Sequence, residues 1–471
     1  MNQTEICFMP AVEMESAIRA KVLSPVEVMK AILARIERLN PRVNAYCTVV
    51  ADSALEQARE AEARVMKGEE LGPLHGVPVS IKDCFFTRGI RTTDCSRVYE
   101  NYIPREDTVV VDWLKKAGAI IVGKTNLPEL AWGATTDNLL FGPTRNPWNL
   151  NLTSGGSSGG AAAEVAAGMG PLALGSDGGG SIRIPASFCG VYGFKPSFGR
   201  VPRSVGFPGW EIFSCAGPLT RTVRDAALAM EVMAGRDDRY FYTLPDTNRR
   251  YRDALGGDLK GLKIAWSKDL GYATVDPRVT ELTEKAARKF ETLGATVEEA
   301  NPDAPNPARS YGILSLVMIV EAVHDMLAEH RDKVSPGLVS LVDDFSGIPA
   351  IERERAWREC LNYWQAICPF FEKYDFLLTP TLATLPFEIG RSSPDEIAGV
   401  KVNSLLDWMA FTYPFNMTRQ PAASVPCGWT DGGLPVGLQI VGRRFDDAGV
   451  LKVSAAFEEA APWSGSRPPL D

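Results

Sequence analysis

Near its start the chain reads as an amphipathic helix. Ser24, Pro25 and Glu27 form a capping box with proline at the first helical position, and Met29, Ile32, Leu33, Ile36 and Leu39 follow at the spacing of one helical face. Asn40-Pro41 is expected to stop it. In VPVSIKD, residues 77 to 83, the period drops to two. Val77, Val79 and Ile81 alternate with Pro78, Ser80 and Lys82, so a strand is predicted in which Lys82 projects opposite to the aliphatic side chains.

Helix and strand patterns then alternate. DTVVVDWLKKAGA is followed by IIVGK, GGAAAEVAAGM by PLALGSD, and DPRVTELTEKAARKFETLGA by TVEE. In the last helix Asp276 caps, Pro277 opens, Val279, Leu282, Ala286, Phe290 and Leu293 form the stripe, and Gly294 closes. Residues 235 to 261 are polar and aromatic and read as a surface excursion; 305 to 374 is mainly helical and suits a lid. FLLT (376 to 379), ASVPCG (422 to 427) and VGLQIVG (436 to 442) return to strand, with a closing helix after Phe445. Such alternation predicts a layered α/β protein. With no internal repeat and no clean linker, residues 1 to 471 read as one domain: a core over roughly 60–235 and 375–471, and a helical substrate-access region over roughly 236–374.

Composition narrows the function. Apolar residues at 45% and charged residues at 23% are ordinary globular usage. A net charge of −8 argues against wrapping nucleic acid or an anionic membrane, and for a small, mostly uncharged substrate. Nine cysteines are scattered without a CxxC pair, which predicts free thiols in a reducing compartment and no metal site. The N-terminus carries no signal-peptide pattern, and the longest apolar run, GILSLVMIV at 312 to 320, is cut by Glu321 and too short to span a bilayer. A cytoplasmic location is expected.

Two glycine-rich stretches demand explanation: SGGSSGG at 154 to 160 and GSDGGGSIR at 175 to 183. A flexible connector is disfavoured because both flanks are patterned. A phosphate cradle lacks the Gly-Lys-Ser/Thr of a P-loop, and no G-x-G-x-x-G follows the first strand. Acyl transfer is the third reading: GGGS supplies unobstructed backbone N–H donors for an oxyanion beside a serine hydroxyl. A serine nucleophile needs a base. Of the three histidines, His324 and His330 lie six apart in a helical stretch and His75 lies in a turn, and none belongs to a G-x-S-x-G elbow. Lysine is the remaining candidate, and Ser-Lys pairs run this chemistry.

The block GGSSGGAAAEVAAG through LGSDGGGSIRIPASFCGVYGFKPSFGR resembles the amidase signature family. LHGVPVSIKD upstream and QPAASVPCGWTDGGLPVGLQIVGRRFDD downstream extend the resemblance from about residue 20 to the last helix. It implies a single large domain with a central mixed β-sheet flanked by helices on both faces. It implies Lys82 as general base, Ser157 as a bridging serine on a cis peptide, Ser181 as nucleophile, and the N–H groups of Gly178, Gly179, Gly180 and Ser181 as oxyanion hole. No cofactor and no metal are required. Asp177 and Arg183 flank the nucleophile and read as a structural ion pair, with direct substrate contact as the alternative; Ser158 and Ser154 either extend the hydroxyl network or face solvent. Cys189 reads as packing. Gly178 departs from the family, which more often carries a branched residue there, and Ser154 stands where proline is common.

The expected function is therefore hydrolysis of C–N amide bonds in small apolar or aryl substrates, extending to esters, anilides and carbamates or urethanes. Trp132, Phe141, Trp210 and Phe213 fit a pocket for such groups and equally fit core positions. Two other readings stand beside it. One is a glutaminase-type A subunit of a tRNA-dependent amidotransferase, whose tyrosine-rich, glutamine-recognising stretch has no match in RAWRECLNYWQAICPFF. The other is a non-catalytic binding protein on the same scaffold. A homodimer is expected by analogy alone.

Overall fold

The computed structural model describes residues 1–471 except Val205, Pro208, Trp210, Glu211 and residues 247–249. The capping box forms as read: Ser24 Oγ accepts from the N–H groups of Val26 and Glu27 while the Glu27 carboxylate accepts from Ser24 N–H. The helix does not stop at Asn40, however. It runs Pro25–Val43, with Pro41 inside its last turn and Asn44 closing it in the left-handed region at φ +56°. Asn40 builds this ending, because its Oδ1 accepts from the N–H groups of Ala45 and Tyr46 and holds the exit turn against the helix.

Eleven strands form one mixed sheet. In spatial order they are Tyr46–Val49, Ile120–Thr125, Pro78–Lys82, Leu172–Asp177, Cys215–Thr220, Tyr192–Lys195, Ala422–Trp429, Pro435–Gly442, Phe376–Pro380, Lys263–Trp266 and Thr296–Glu299. Pro78–Lys82 lies parallel to both neighbours, with Ser80 opposite Ala173 and Ile81 opposite Leu174. The middle of the sheet is antiparallel, and parallel pairing returns between Phe376–Pro380, Lys263–Trp266 and Thr296–Glu299. Helices cover the sheet, so the alternation read in VPVSIKD does not separate core from solvent. Lys82 does lie across the pleat from Val79 and Ile81, yet both faces are buried and Lys82 is 0% exposed.

Two strands of the sheet, Lys263–Trp266 and Thr296–Glu299, come from the 236–374 stretch, which therefore supplies sheet edge as well as helix. Its first part is not purely a surface excursion: Tyr251 is buried, and Arg252 pairs with Glu231 of helix Val223–Met233 at 2.8 Å. Its last part forms three helices, Ala308–His330, Pro336–Phe345 and Ala350–Lys373. The first outruns the apolar stretch read from sequence, continuing past Glu321 for 23 residues in all, and is long and apolar enough to cross a bilayer. In this fold its Tyr311, Leu314, Ile319 and Val323 are buried within the protein.

The linker-like SGGSSGG is buried throughout. Gly159 and Gly160 open helix Gly159–Ala166, and a Cβ on Gly160 would stand 2.4 Å from Ala45 O and 2.5 Å from Asn126 N. Neither neighbour is a side chain that could swing away. Glycine is required here by close approach of three backbones. Gly160→Ala should therefore cost about 1–3 kcal/mol of stability, the usual range for overpacking. A denaturant midpoint equal to that of the parent chain would show that the backbones yield instead.

Candidate active site

Lys82 ends its strand with its amine enclosed. Nζ donates to Ser157 Oγ at 2.7 Å and to Ser176 Oγ at 2.9 Å, and among the described residues no carboxylate lies within ion-pair distance of it. Burial first of all lowers this lysine to about 8, against the opposing pull of Cys84 and Asp94. Two other buried lysines show what a structural amine looks like. Lys124 donates to Phe85 O at 2.6 Å and to two threonine hydroxyls, with Asp83 Oδ1 at 3.8 Å, while Lys195 donates to the carbonyls of Pro196 and Gln420. A carbonyl only accepts and so favours an ammonium; a hydroxyl can turn and donate to a neutral amine. Only Lys82, of the three, is held by hydroxyls alone.

Ser157 follows a cis Gly156–Ser157 peptide bond and is 1% exposed. Ser158 does not face solvent: its N–H donates to Ser181 O at 3.0 Å, and its hydroxyl bonds both the carbonyl and the N–H of Ser176. It ties together the segments that carry the three other serines. Ser154 is likewise buried, its hydroxyl directed at Thr144 O and Gly155 O. Ser181 is partly exposed and faces the same cavity as Ser157 and Ser176.

Asp177 and Arg183 form a fully buried bidentate pair, with Nη2 to Oδ1 at 2.9 Å and Nε to Oδ2 at 3.0 Å. Arg183 also donates to Thr412 O, Gln439 Oε1 and Asn416 Oδ1, so its donors are spent inside the protein. Burial alone would raise the Asp177 carboxyl; the guanidinium beside it holds it well below the usual carboxylate range. Asp177 in turn accepts from the N–H of Gly180 at 2.8 Å. The Gly180 amide is thus occupied, which corrects the expectation that it faces an oxyanion. Among the described residues no acceptor takes the N–H groups of Gly178, Gly179 or Ser181. Their loop is fixed through its carbonyls: Tyr311 Oη donates to Gly178 O, Thr412 Oγ1 to Gly179 O and Ile184 N–H to Gly180 O. Glycine at 178 does not leave the loop unsupported. At Gly179 a Cβ would meet Tyr311 Oη at 1.9 Å.

A cavity of about 280 Å³ opens over these serines. Its walls are mainly apolar, with Leu130, Trp132, Ile184, Phe207, Leu405 and Met409 among them. Of the four aromatics read as pocket residues, Trp132 lines it. Phe213 is buried behind the wall, packed on the Tyr311 ring at 5.7 Å, and Phe141 lies outside the cavity beneath the Arg91 guanidinium at 5.3 Å. Core packing and a surface cation claim those two rings. Trp210 lies outside the described residues. The sequence reading missed Ser176, which sits inside the GSDGGGS motif, and Tyr311, Thr412 and Asn416, which lie more than a hundred residues from it and carry no motif of their own.

One further group of donors deserves comparison with a metal site. Cys47, Asp83 and Cys95 place ligand atoms within 4.8 Å of one another. Burial raises both thiols, and Lys124 sits against the carboxylate, so the set suits neutral thiols and an ion pair and does not fit a cation.

The fold is that of an amidohydrolase. Residues 27–451 match the Amidase family, and the chain belongs to this family, the amidase signature enzymes, which act on C–N amide bonds. An acylamidase from Rhodococcus erythropolis is 39% identical, covering 99% of this chain and 98% of its own. The A subunit of glutamyl-tRNA(Gln) amidotransferase from Moorella thermoacetica is also 39% identical, over 99% of each chain. The crystal structure of a bacterial aryl acylamidase superposes with a TM-score of 0.91 at 36% identity, covering 97% of both chains.

The enclosed amine predicts a stability signature. Its folded-state pKa of about 8 lies below the 10.5 of an exposed lysine, so its contribution to stability is present above pH 10.5 and is lost as pH falls through 8. Lys82→Met removes this dependence. Relative to the parent chain, the variant should gain on the order of 2 kcal/mol between pH 9.5 and pH 7, read by denaturant unfolding at the two values. Parallel stability curves for the two proteins would mean the amine is not desolvated.

Proposed function

We propose that this chain is an acylamidase-type hydrolase that cleaves small apolar or aryl amides through a Ser181 acyl-enzyme, with Ser157 as proton relay and Lys82 as base. What carries the reading is the Lys82 amine, held by hydroxyls alone at 2.7 Å from Ser157, at the base of an apolar cavity that Ser181 also lines. With the amine neutral, one N–H donates to Ser176 and the lone pair is left for the Ser157 hydroxyl proton. Ser181 Oγ attacks the substrate carbonyl as its proton passes to Ser157 and the Ser157 proton to Lys82. The oxyanion is met by the N–H groups of Gly178, Gly179 and Ser181. Collapse returns a proton through Ser157 to the departing nitrogen, the amine leaves, and water repeats the sequence on the acyl group. Residues of the Asp177–Arg183 pair act by fixing the loop and have no donor to spare for substrate.

Apolar walls around Ser181 suit aryl and alkyl groups on either side of the scissile bond, and esters and carbamates present the same carbonyl to the same atoms. The likeness in fold to an aryl acylamidase supports this choice. Equal identity to an amidotransferase A subunit supports a second reading, release of ammonia from glutamine within a complex. A panel of anilides, primary amides, aryl carbamates and glutamine decides between them: turnover of anilides with glutamine inert upholds the first, and ammonia release from glutamine with anilides inert replaces it.

Ser181→Ala should reduce kcat/KM on the preferred anilide by at least about a thousandfold, as loss of a nucleophile does. Retained turnover on every amide and ester would reject the acyl-enzyme. The rate of acylation should rise with pH as Lys82 loses its proton and level off above about 8, read as the ascending, acid-side limb of kcat/KM. A limb centred near 10 or above would point to a solvated amine.

A further inference from the structure

Asp94 is a buried acid in the cavity with one carboxyl oxygen left without a hydrogen bond among the described residues. Its side chain lines the same cavity as Ser157, Ser176 and Ser181, the residue is 2% exposed, and its Oδ1 is buried without a hydrogen-bond partner among the described residues. The neighbouring acid makes a useful contrast. Asp83 Oδ2 accepts from both the N–H and the hydroxyl of Thr93, and Lys124 stands at 3.8 Å from Oδ1. Around Asp94 the cations are Lys82 and Arg203, which act on the carboxyl through space, and among the described residues neither forms an ion pair or hydrogen bond with it.

The backbone places Asp94 firmly in this position. Its N–H donates to Asp83 O at 3.2 Å, one residue beyond Lys82, and its carbonyl accepts from Leu130 N–H at 3.0 Å. Both Asp94 and Cys95 are held in the left-handed region, at φ +46° and +52°, where residues other than glycine are uncommon. A buried carboxyl oxygen left without a hydrogen bond in a mainly apolar cavity, on a backbone that strains to hold it there, costs stability. A hydrogen-bond donor on the substrate would offset that cost. The donor nearest the catalytic end of the cavity, on any secondary amide or carbamate, is the N–H of the scissile bond.

We propose that Asp94 is a specificity-determining residue that accepts a hydrogen bond from the N–H of the scissile amide and so makes the site favour amides over esters. This rests on the acyl-enzyme reading above. As the carbonyl becomes tetrahedral, the nitrogen loses conjugation, and when Ser157 hands it a proton it gains positive charge. Its N–H then binds an acceptor more strongly than in the ground state, which is the condition for an effect on rate. The oxygen of an ester has no hydrogen to offer, and with an ester bound the carboxyl oxygen stays unpartnered.

The test compares 4-nitroacetanilide with 4-nitrophenyl acetate, which form the same acetyl-enzyme, so that kcat/KM reports acylation in both. Asp94→Gly removes the carboxyl and relieves the backbone; Asp94→Ala removes it while keeping a Cβ, and serves if the glycine variant does not fold. The anilide-to-ester ratio of kcat/KM should fall about tenfold in either variant, with the loss on the anilide carried by kcat more than by KM. A ratio that falls by less than threefold overturns the assignment whatever the absolute rates, because a merely structural residue would move both substrates together. A failure of the acyl-enzyme itself shows in Ser181→Ala, and a failure of Asp94 shows in the ratio alone.

Discussion

A lysine amine without a counter-ion is the constraint on which the rest of the site depends. Carrying charge at the base of an apolar cavity is costly, and among the described residues the chain provides no carboxylate that forms an ion pair with the amine, Asp94 and Asp177 acting only through space. Two serine hydroxyls are what it has provided, at 2.7 and 2.9 Å. They accept from an ammonium and equally donate to an amine, so neither protonation state is locked in. Lys124 and Lys195, equally buried and likewise lowered by burial, differ in donating to backbone carbonyls, which can accept only from the amine and leave it a structural task.

The glycine segments follow from the need to bring Ser157, Ser176 and Ser181 around that amine. Ser157 comes from one glycine run and Ser176 and Ser181 from the other, and the backbones approach so closely that side chains have no room. Gly159 is pressed against Thr136 and Ser154, Gly160 against Ala45 and Asn126, and Gly179 against the Tyr311 hydroxyl. Rigidity is supplied from elsewhere. The Asp177–Arg183 pair anchors the loop, and Tyr311 and Asn416 from helices and Thr412 from a turn, all far along the chain, bind it. A composition that looks like a tether encodes one of the most tightly enclosed parts of the molecule.

The same closeness explains which sequence expectations were met and which were not. Capping boxes and strand periods are local, and the helix at Ser24 and the strand ending at Lys82 appear where the pattern places them. The helix Pro25–Val43 runs past the expected stop at Asn40-Pro41 because Asn40 stabilises the exit turn through its side chain, an interaction that depends on residues 45 and 46 folding back. The fate of the aromatics was not legible at all. Whether Phe141, Phe213 or Trp132 meets a cavity is decided by Arg91, Tyr311 and the helices around them, and spacing along the chain carries no trace of that.

By itself the sequence determined the class of chemistry through the motif blocks that resemble the amidase signature family, with glycine runs bearing serines and a lysine at the end of a strand consistent with it. Residue identity and short-range spacing suffice for that, because they set which groups can donate, accept or lose a proton. Tertiary structure alone decided which donors remain free. Gly180 spends its amide on Asp177, Ser176 joins Ser157 on the lysine, and Asp94 is left facing the cavity with one carboxyl oxygen unpartnered among the described residues. Hydrogen-bond partners and desolvation are set by chains meeting from distant parts of the sequence, so they exist only once the protein has folded.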